Sequence, residues 1–395
     1  MQSIPHWQSA PAPPASPVGA LPPAADVVVI GGGQAGLAVA AELSEAGAAV
    51  VLLEARARLG AGMSGRTAGL GLVGIGDNPH RLQAAIGAAA SEEILRFSLE
   101  NLDMLEALGV LERTGGIATS KGGEVDEIPL TVRAAQALGV PCELMSAEQV
   151  NATLGTTGLG PGRFTPAEGL VDPAALCHRL ATRAIAAGAT LLTGATVSDT
   201  SDLMDGIQLH LSDGRTIRAD LVVLASGWSL RSLDPWLGDK IYPARTQMLT
   251  VSAPAPRPRI AATAQYGYAY WRPLPDGTLL VGGCRWATPH LEVGESDDTV
   301  VVPVVEERIR GFLAQHLPDV VGETAARWTG IMSLTCDLLP LLGPIPGRPR
   351  FVLCAGFNGC QTSLGLRSAR AVAEGILSGR AEGVPAYFKT RRFVQ

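Results

Sequence analysis

Apolar positions along the chain fall into strand-like and helix-like periods in alternation. Val27–Ile30 is an unbroken β-branched run, the pattern of a strand buried on both faces of a parallel sheet. Leu37, Val39, Ala40 and Leu43 then recur at helical spacing up to Gly47, and Ala49–Leu53 predicts a second strand that delivers Glu54 at its carboxyl end. Further on, Ile94, Phe97, Leu99, Leu102, Leu105 and Leu108 mark a long helix, and residues 304–318 predict another that stops before Pro318. The stretch "QYGYAYWRPLP" alternates, so Tyr268, Tyr270 and Arg272 share one strand face while Gly267, Ala269 and Trp271 share the other. Pro275-Asp276-Gly277 follows as a hairpin turn. Near the end, Phe351–Ala355 predicts a strand that runs into a turn of small residues and a helix from about Thr362.

Between the first strand and the first helix lies G-x-G-x-x-G at Gly31, Gly33 and Gly36. In that context Gly31 permits the tight turn, Gly33 the approach of backbone to a pyrophosphate, and Gly36 close packing of helix on strand. Glu54 stands where an acid binds ribose hydroxyls. A second match at Gly69, Gly71 and Gly74 follows no strand, and Pro79 disfavours helix at Asn78, so it is no second dinucleotide site. The continuation to His80 reads as a flexible surface turn, with Asp77 and His80 as candidate pocket residues.

Composition narrows the classes. With 47% hydrophobic and 17% charged residues, 395 residues support a large core in two domains. A net charge of −6 gives no basic footprint for nucleic acid, and no apolar run approaches the roughly 18 residues of a membrane span. Residues 1–25 read as a Pro/Ala-rich arm without signal-peptide features, a loose tail unless Trp7 docks it. Six cysteines without C-x-x-C pairing fit reduced thiols, a cytoplasmic location and no metal site.

The segment "VVVIGGGQAG…VVLLEA" followed by "RLGAGMSGRTAGL" resembles the FAD-dependent D-amino-acid oxidase superfamily, in its glycine oxidase, sarcosine oxidase and γ-glutamylputrescine oxidase branch. Later stretches match in order: "EGLVDPAALCHRL", "ADLVVLASGWSLRSL", "YAYWRPLPDGTLLVGG" and "WTGIMSLTCDLLPLLGPI…FVLCAGFNGCQTSLG". The resemblance covers roughly residues 26–385. It implies an α/β fold of the D-amino-acid oxidase or glutathione-reductase type: a Rossmann-like FAD-binding domain (26–90, 145–232, 327–395) with an inserted substrate domain of mainly antiparallel sheet (91–144, 233–326).

Carried over by position, the resemblance implies that FAD is held by Gly31, Gly33, Gln34, Ala35, Gly36, Glu54, Ala55 and Arg56, and by Ser64, Gly65, Arg66, Thr67, Ala68 and Gly69. It adds Val197, at the end of a strand beside the adenine, then Ser226, Gly227, Trp228, Gly330 and Met332. Phe357, Asn358, Gly359, Cys360, Gln361 and Thr362 complete the set, as a helix N-terminus that favours negative charge on reduced flavin. The implied reaction is hydride transfer from a carbon beside an amine nitrogen to flavin N5, with Tyr270, Arg272 and His80 as candidates for orienting a small-molecule amine. Met332 stands where relatives place a carboxylate-binding Arg or a flavin-linked Cys, so FAD is expected to be non-covalent and a simple α-amino acid is put in doubt. "TLLVGG" lacks the oxygen-activating Lys, which leaves oxygen or an electron carrier open as acceptor. Two alternatives stand beside an amine oxidase: a dehydrogenase tailoring a cyclic amine, and an FAD-binding subunit of a hetero-oligomer. Homo- or hetero-oligomeric assembly is left open.

Overall fold

A computed structural model describes residues 2–17, 21–253, 257–320, 322–380 and 382–394. The chain forms two compact units, each of several segments. One comprises 10–65, 173–243 and 332–395; the other comprises 1–9, 66–172 and 244–331.

The first unit is built on a parallel sheet. β1 (Ala24–Ile30) leads through α1 (Gln34–Glu45) to β2 (Val50–Glu54). β1 pairs in parallel with β2 on one side and with Thr216–Leu224 on the other. β2 pairs with Thr190–Thr193, and Thr216–Leu224 with Arg348–Ala355, again in parallel. The continuous apolar run at Val27–Ile30 follows from this central place, since both faces of β1 are covered. Val28, Ile30, Val51, Leu53, Val222, Leu224, Phe351 and Leu353 form one core. The C-terminal helix Gln361–Ser378 packs beside α1.

The other unit holds a mixed sheet that runs through Thr278–Gly283, Ala269–Pro273, Ala261–Ala264, Gly116–Thr119 and Gly162–Thr165. All these neighbours are antiparallel except Ala261–Ala264 against Gly116–Thr119. The expected alternation holds from Ala269, where the strand begins; Gly267 and Tyr268 lie in the turn before it. Ala269 and Trp271 enter the core, where the Trp271 and Phe312 ring centroids lie 5.3 Å apart. The hairpin turn closes with Leu274 N–H donating to the Thr278 carbonyl at 2.8 Å and Gly277 at φ +83°. The helices run over Ala88–Ala107 and Pro303–His316.

Several expectations need correction. Residues 66–90, 145–172 and 327–331 lie in the unit of the mixed sheet, the first two because Leu70–Gly71 pairs with Gly169–Val171 and Gly162–Thr165 with Gly116–Thr119. Residues 233–243 belong with the parallel sheet, and the arm divides after Ser9. Gly71–His80 is no simple surface turn: Gly71, Val73 and Gly74 are buried, and Pro79 opens a helix, Pro79–Ile86. Proline suits that first helical position, where no N–H partner is lost. Trp7 does dock, with 6% exposure. Among the described residues no helix is long and apolar enough to cross a membrane.

Candidate functional site

The glycine loop is built by close approach. Gly31 has φ +114°, and a Cβ there would lie 2.7 Å from the Ala225 carbonyl and from Ser226 Cα. A Cβ on Gly36 would lie 1.9 Å from the Gly31 carbonyl oxygen, so only glycine lets α1 sit this near the turn. Gly33, as N-cap of α1, has no side chain with which to cap it. Ser64 supplies an acceptor instead, its Oγ taking the Gln34 N–H at 2.9 Å. No acidic residue occupies the first turn of α1, so its positive end is left for a ligand.

Glu54 closes the loop from the other side. Its Oε2 accepts from Gly32 N–H at 2.7 Å and its Oε1 from Arg56 N–H at 2.8 Å. A carboxylate has about four acceptor positions, so capacity for hydroxyl donors remains. Ala55 and Arg56 are exposed beyond it. Gln34 is 3% exposed, yet its Nε2 has no hydrogen-bond partner among the described residues. A buried amide donor beside a helix N-terminus with no acid in its first turn fits a phosphate-bearing group, so the residues present suit FAD.

Next to Gly31, Ser226 and Gly227 form a short turn in which Ser229 Oγ donates to the Ser226 carbonyl. Gly227 has φ +72°, and Trp228 packs at the edge of the core. Val197 requires correction: the strand before it ends at Thr193, and Val197 opens the next one. Gly194 and Ala195 N–H groups donate to the Arg56 and Glu54 carbonyls at 2.9 Å, which turns the chain early.

A second cradle in the same unit surrounds the C-terminal turn. Gly356, Asn358 and Gly359 all have positive φ. Asn358 Oδ1 accepts from Thr335 N–H at 2.7 Å, and its Nδ2 donates to the Gly356 carbonyl at 2.7 Å. Phe357 is buried, and a Cβ on Gly359 would lie 3.2 Å from Met332 Sδ, so Met332 lies against this turn. The helix opens at Gln361, one residue before the expected start, with Thr362 buried in its first turn. Cys360, its N-cap, gives no side-chain cap, and burial pushes the Cys360 thiol up to about 12, which makes it a poor nucleophile. Gln361 Nε2 is a second buried amide without a partner among the described residues.

The remaining candidates lie in the other unit. Ser64 and Gly65 end one unit, and Arg66, Thr67, Ala68 and Gly69 begin the other. Arg66 Nη1 donates to the Thr329 carbonyl at 2.8 Å, and its Nε lies 3.5 Å from Asp298. Gly330 is buried next to Thr329 in strand Thr324–Thr335. Tyr270 shares a hydrogen bond of 2.8 Å with Thr246 Oγ1, and its ring covers Gly282, where a Cβ would lie 2.5 Å from it. Loss of water pushes the Tyr270 phenol up to about 12. Arg272, 3% exposed, donates from Nη1 to the Gly69 and Val171 carbonyls at 2.8 and 2.7 Å. That guanidinium therefore holds main chain. His80 bonds Thr131 Oγ1 at 3.1 Å and lies 3.4 Å from Glu127.

Sequence reasoning missed the cap from Ser64 to Gln34 and the anchoring of Thr67 by Trp7, whose Nε1 donates to the Thr67 carbonyl at 2.7 Å. The only signal for the second was a lone tryptophan in a proline-rich arm.

Comparison with known proteins agrees with this geometry. The chain is 28% identical over 351 residues to glycine oxidase of Geobacillus kaustophilus, covering 84% of this chain and 87% of that one. It is 32% identical over 340 residues to the tRNA 5-methylaminomethyl-2-thiouridine biosynthesis bifunctional protein MnmC of Chromohalobacter salexigens, covering 82% of this chain but 46% of that protein. The crystal structure of glycine oxidase from Geobacillus kaustophilus superposes with a TM-score of 0.81 at 23% identity, covering 95% of this chain and 100% of that one. That of L-proline dehydrogenase from P. horikoshii gives 0.79 at 22% identity, covering 94% and 98%. The model of the DAO family, described as FAD dependent oxidoreductase, matches residues 26–375. With a glycine loop that admits no side chain, an acid closing it and that match across most of its length, the chain belongs to the DAO family of FAD-dependent oxidoreductases.

Proposed function

We propose that this enzyme oxidises a C–N bond of an amine or amino-acid-like substrate. The carbon beside nitrogen loses a hydride and the nitrogen a proton, and water hydrolyses the imine to a carbonyl compound and an amine. Bound FAD supplies the two-electron acceptor at its N5 position. The observation that carries the reading is the loop of Gly31, Gly33 and Gly36, closed by Glu54 and flanked by a Gln34 amide without a partner among the described residues, in a chain of this family. Relatives named for glycine oxidation and for biosynthesis of a methylaminomethyl uridine support an amine nitrogen at the reacting carbon.

In this reading Gly33, Ala35 and Gly36 present main-chain N–H groups to the pyrophosphate, and Glu54 accepts from ribose hydroxyls. Met332 offers no cation to a carboxylate and no thiol to the flavin, while Cys336 is exposed and four residues away. The substrate is therefore held without an Arg clamp from that position, and FAD is non-covalent. Tyr270 is the side chain assigned to orient the substrate, with Arg272 holding the backbone around it. The free thiols fit a cytoplasmic enzyme.

One observation favours an electron carrier over oxygen: the strand Thr278–Gly283 is apolar and carries no lysine. Anaerobic titration of the yellow protein with primary, secondary and cyclic amines, with and without carboxylates, tests the main reading. Bleaching of the flavin by an amine is the expected result. Bleaching by none would overturn it and favour a subunit of a hetero-oligomer. Reoxidation by air with release of peroxide, set against reoxidation by a dye, then separates oxidase from dehydrogenase.

A further inference from the structure

Within the unit of the mixed sheet, strand Ile241–Ser252 presents alternate side chains to opposite faces. On one face lie Thr246, hydrogen-bonded to Tyr270, and Met248, which with the Tyr270 ring covers Gly282. On the other, Leu249 and Val251 join a core with Ile309 and Phe312 of helix Pro303–His316. At the start of that helix, a cleft of about 160 Å³ runs between Gln247, Arg285, Val302 and Val305, partly open to solvent. Gln247 is 2% exposed. Its Oε1 accepts from Val302 N–H at 2.8 Å, which fixes the orientation of the amide and leaves Nε2 with no partner among the described residues. Arg285 also lines the cleft, and no carboxylate among the described residues pairs with it. It donates to the Leu291 carbonyl at 2.7 Å and the Tyr268 hydroxyl at 3.4 Å, and lies 4.9 Å from the Tyr268 ring. Glu292, the acid of the cleft, is already held by Arg245 at 2.6 Å.

The helix that begins beside this cleft has no side-chain cap, and the first N–H groups of a helix have no partner within it. Its first-turn acid, Glu306, is taken up by Arg310 and Arg327, each at 3.5 Å. A buried orphan donor, an uncompensated guanidinium and a positive helix end therefore meet in one place. We propose that this cleft binds a small carboxylate, one oxygen accepting from Gln247 Nε2 and the other from Arg285. The space is too narrow for such a group while Arg285 keeps its present place, so Arg285 is the wall that swings outward on binding. Gln247 and Tyr270 lie on opposite faces of the sheet, so the occupant is a ligand other than the amine substrate, and the site stands apart from the reading of the reaction. Bound there, it ties the strand that carries Thr246 to the start of the helix and stabilises the folded unit.

The test is thermal unfolding of the FAD-loaded full chain titrated with sodium formate, beside its R285Q and Q247E variants. In the unaltered protein the melting temperature is expected to rise with formate and to level off, as for a ligand that binds only the folded state. R285Q is expected to raise the half-saturating concentration about 10-fold or more, the worth of one charge-assisted hydrogen bond. Q247E keeps an acceptor for Val302 N–H but sets a carboxylate against Arg285, so its melting temperature is expected not to respond. An equal rise in all three proteins, or none in the unaltered one, would overturn the proposal. So would an equal response to sodium chloride, since a spherical ion offers no second oxygen. Should the variants fail to fold, the glutamine side-chain amide resonances of the unaltered protein decide. One NH₂ pair shifting with formate until saturation is the expected result, and no shift at any of them would sink the idea.

Discussion

At the scale of the residue, the glycine loop makes the sharpest demands. A methyl group on Gly36 meets the Gly31 carbonyl, which is main chain and cannot swing aside. Gly36→Ala is expected to cost roughly 1–3 kcal/mol, as overpacking does, and to yield protein without flavin; thermal unfolding and the visible spectrum check both. Ser64→Ala removes the acceptor for the Gln34 N–H at the start of α1. A loss of about 0.5–2 kcal/mol follows from the usual worth of a cap, with weaker FAD retention in equilibrium dialysis. Tyr270 keeps its proton until about pH 12, because burial disfavours the phenolate. Folding then holds that proton more tightly than the unfolded chain, so stability falls only as pH rises above the ordinary phenol range. A pH–rate profile between 6 and 10 is expected to show no limb that disappears in Tyr270→Phe.

At the scale of the element, the turn between Arg348–Ala355 and the C-terminal helix shows what one side chain can hold. Asn358 combines φ +53° with hydrogen bonds to Thr335 and Gly356. Asn358→Ala loses both the bonds and the residue best suited to that conformation, about 2–4 kcal/mol in all; Asn358→Gly loses only the bonds and should fall less. Chemical denaturation of the two variants separates the terms. The unit β1–α1–β2 is legible in sequence because its apolar run, glycine spacing and terminal acid lie within thirty residues of one another. Val197 is misplaced by pattern for a local reason: Gly194 and Ala195 bond back to the end of β2 and turn the strand sooner than its apolar pattern shows. His80 falls in a turn on sequence alone because Pro79 reads equally as a breaker and as the first residue of a helix.

At the scale of the whole molecule, pattern reading reaches the two-unit α/β plan but not the segments that cross between sheets. Residues 66–90 follow the first cradle in sequence, yet Leu70–Gly71 takes its strand partner a hundred residues on. No periodicity announces such a pairing, nor the bond between Trp7 and Thr67. The docked arm also carries a pH response. Burial lowers the pKa of His6 from its ordinary 6.5, with Asp276 and Asp172 opposing and Arg272 adding to the fall. The docked state thus binds fewer protons than the free arm, so docking is favoured at neutral pH and weakens as pH drops below 6.5. Limited proteolysis near residue 10 should quicken in that range, and His6→Phe should blunt the change. The arm has a further consequence, in the order of synthesis. Trp7 is synthesised long before Arg272, Arg327 and Trp328, because all three lie far downstream of it. Its seat cannot exist until those residues have been made, so docking of the arm is a late event in folding, a contact between segments far apart in sequence.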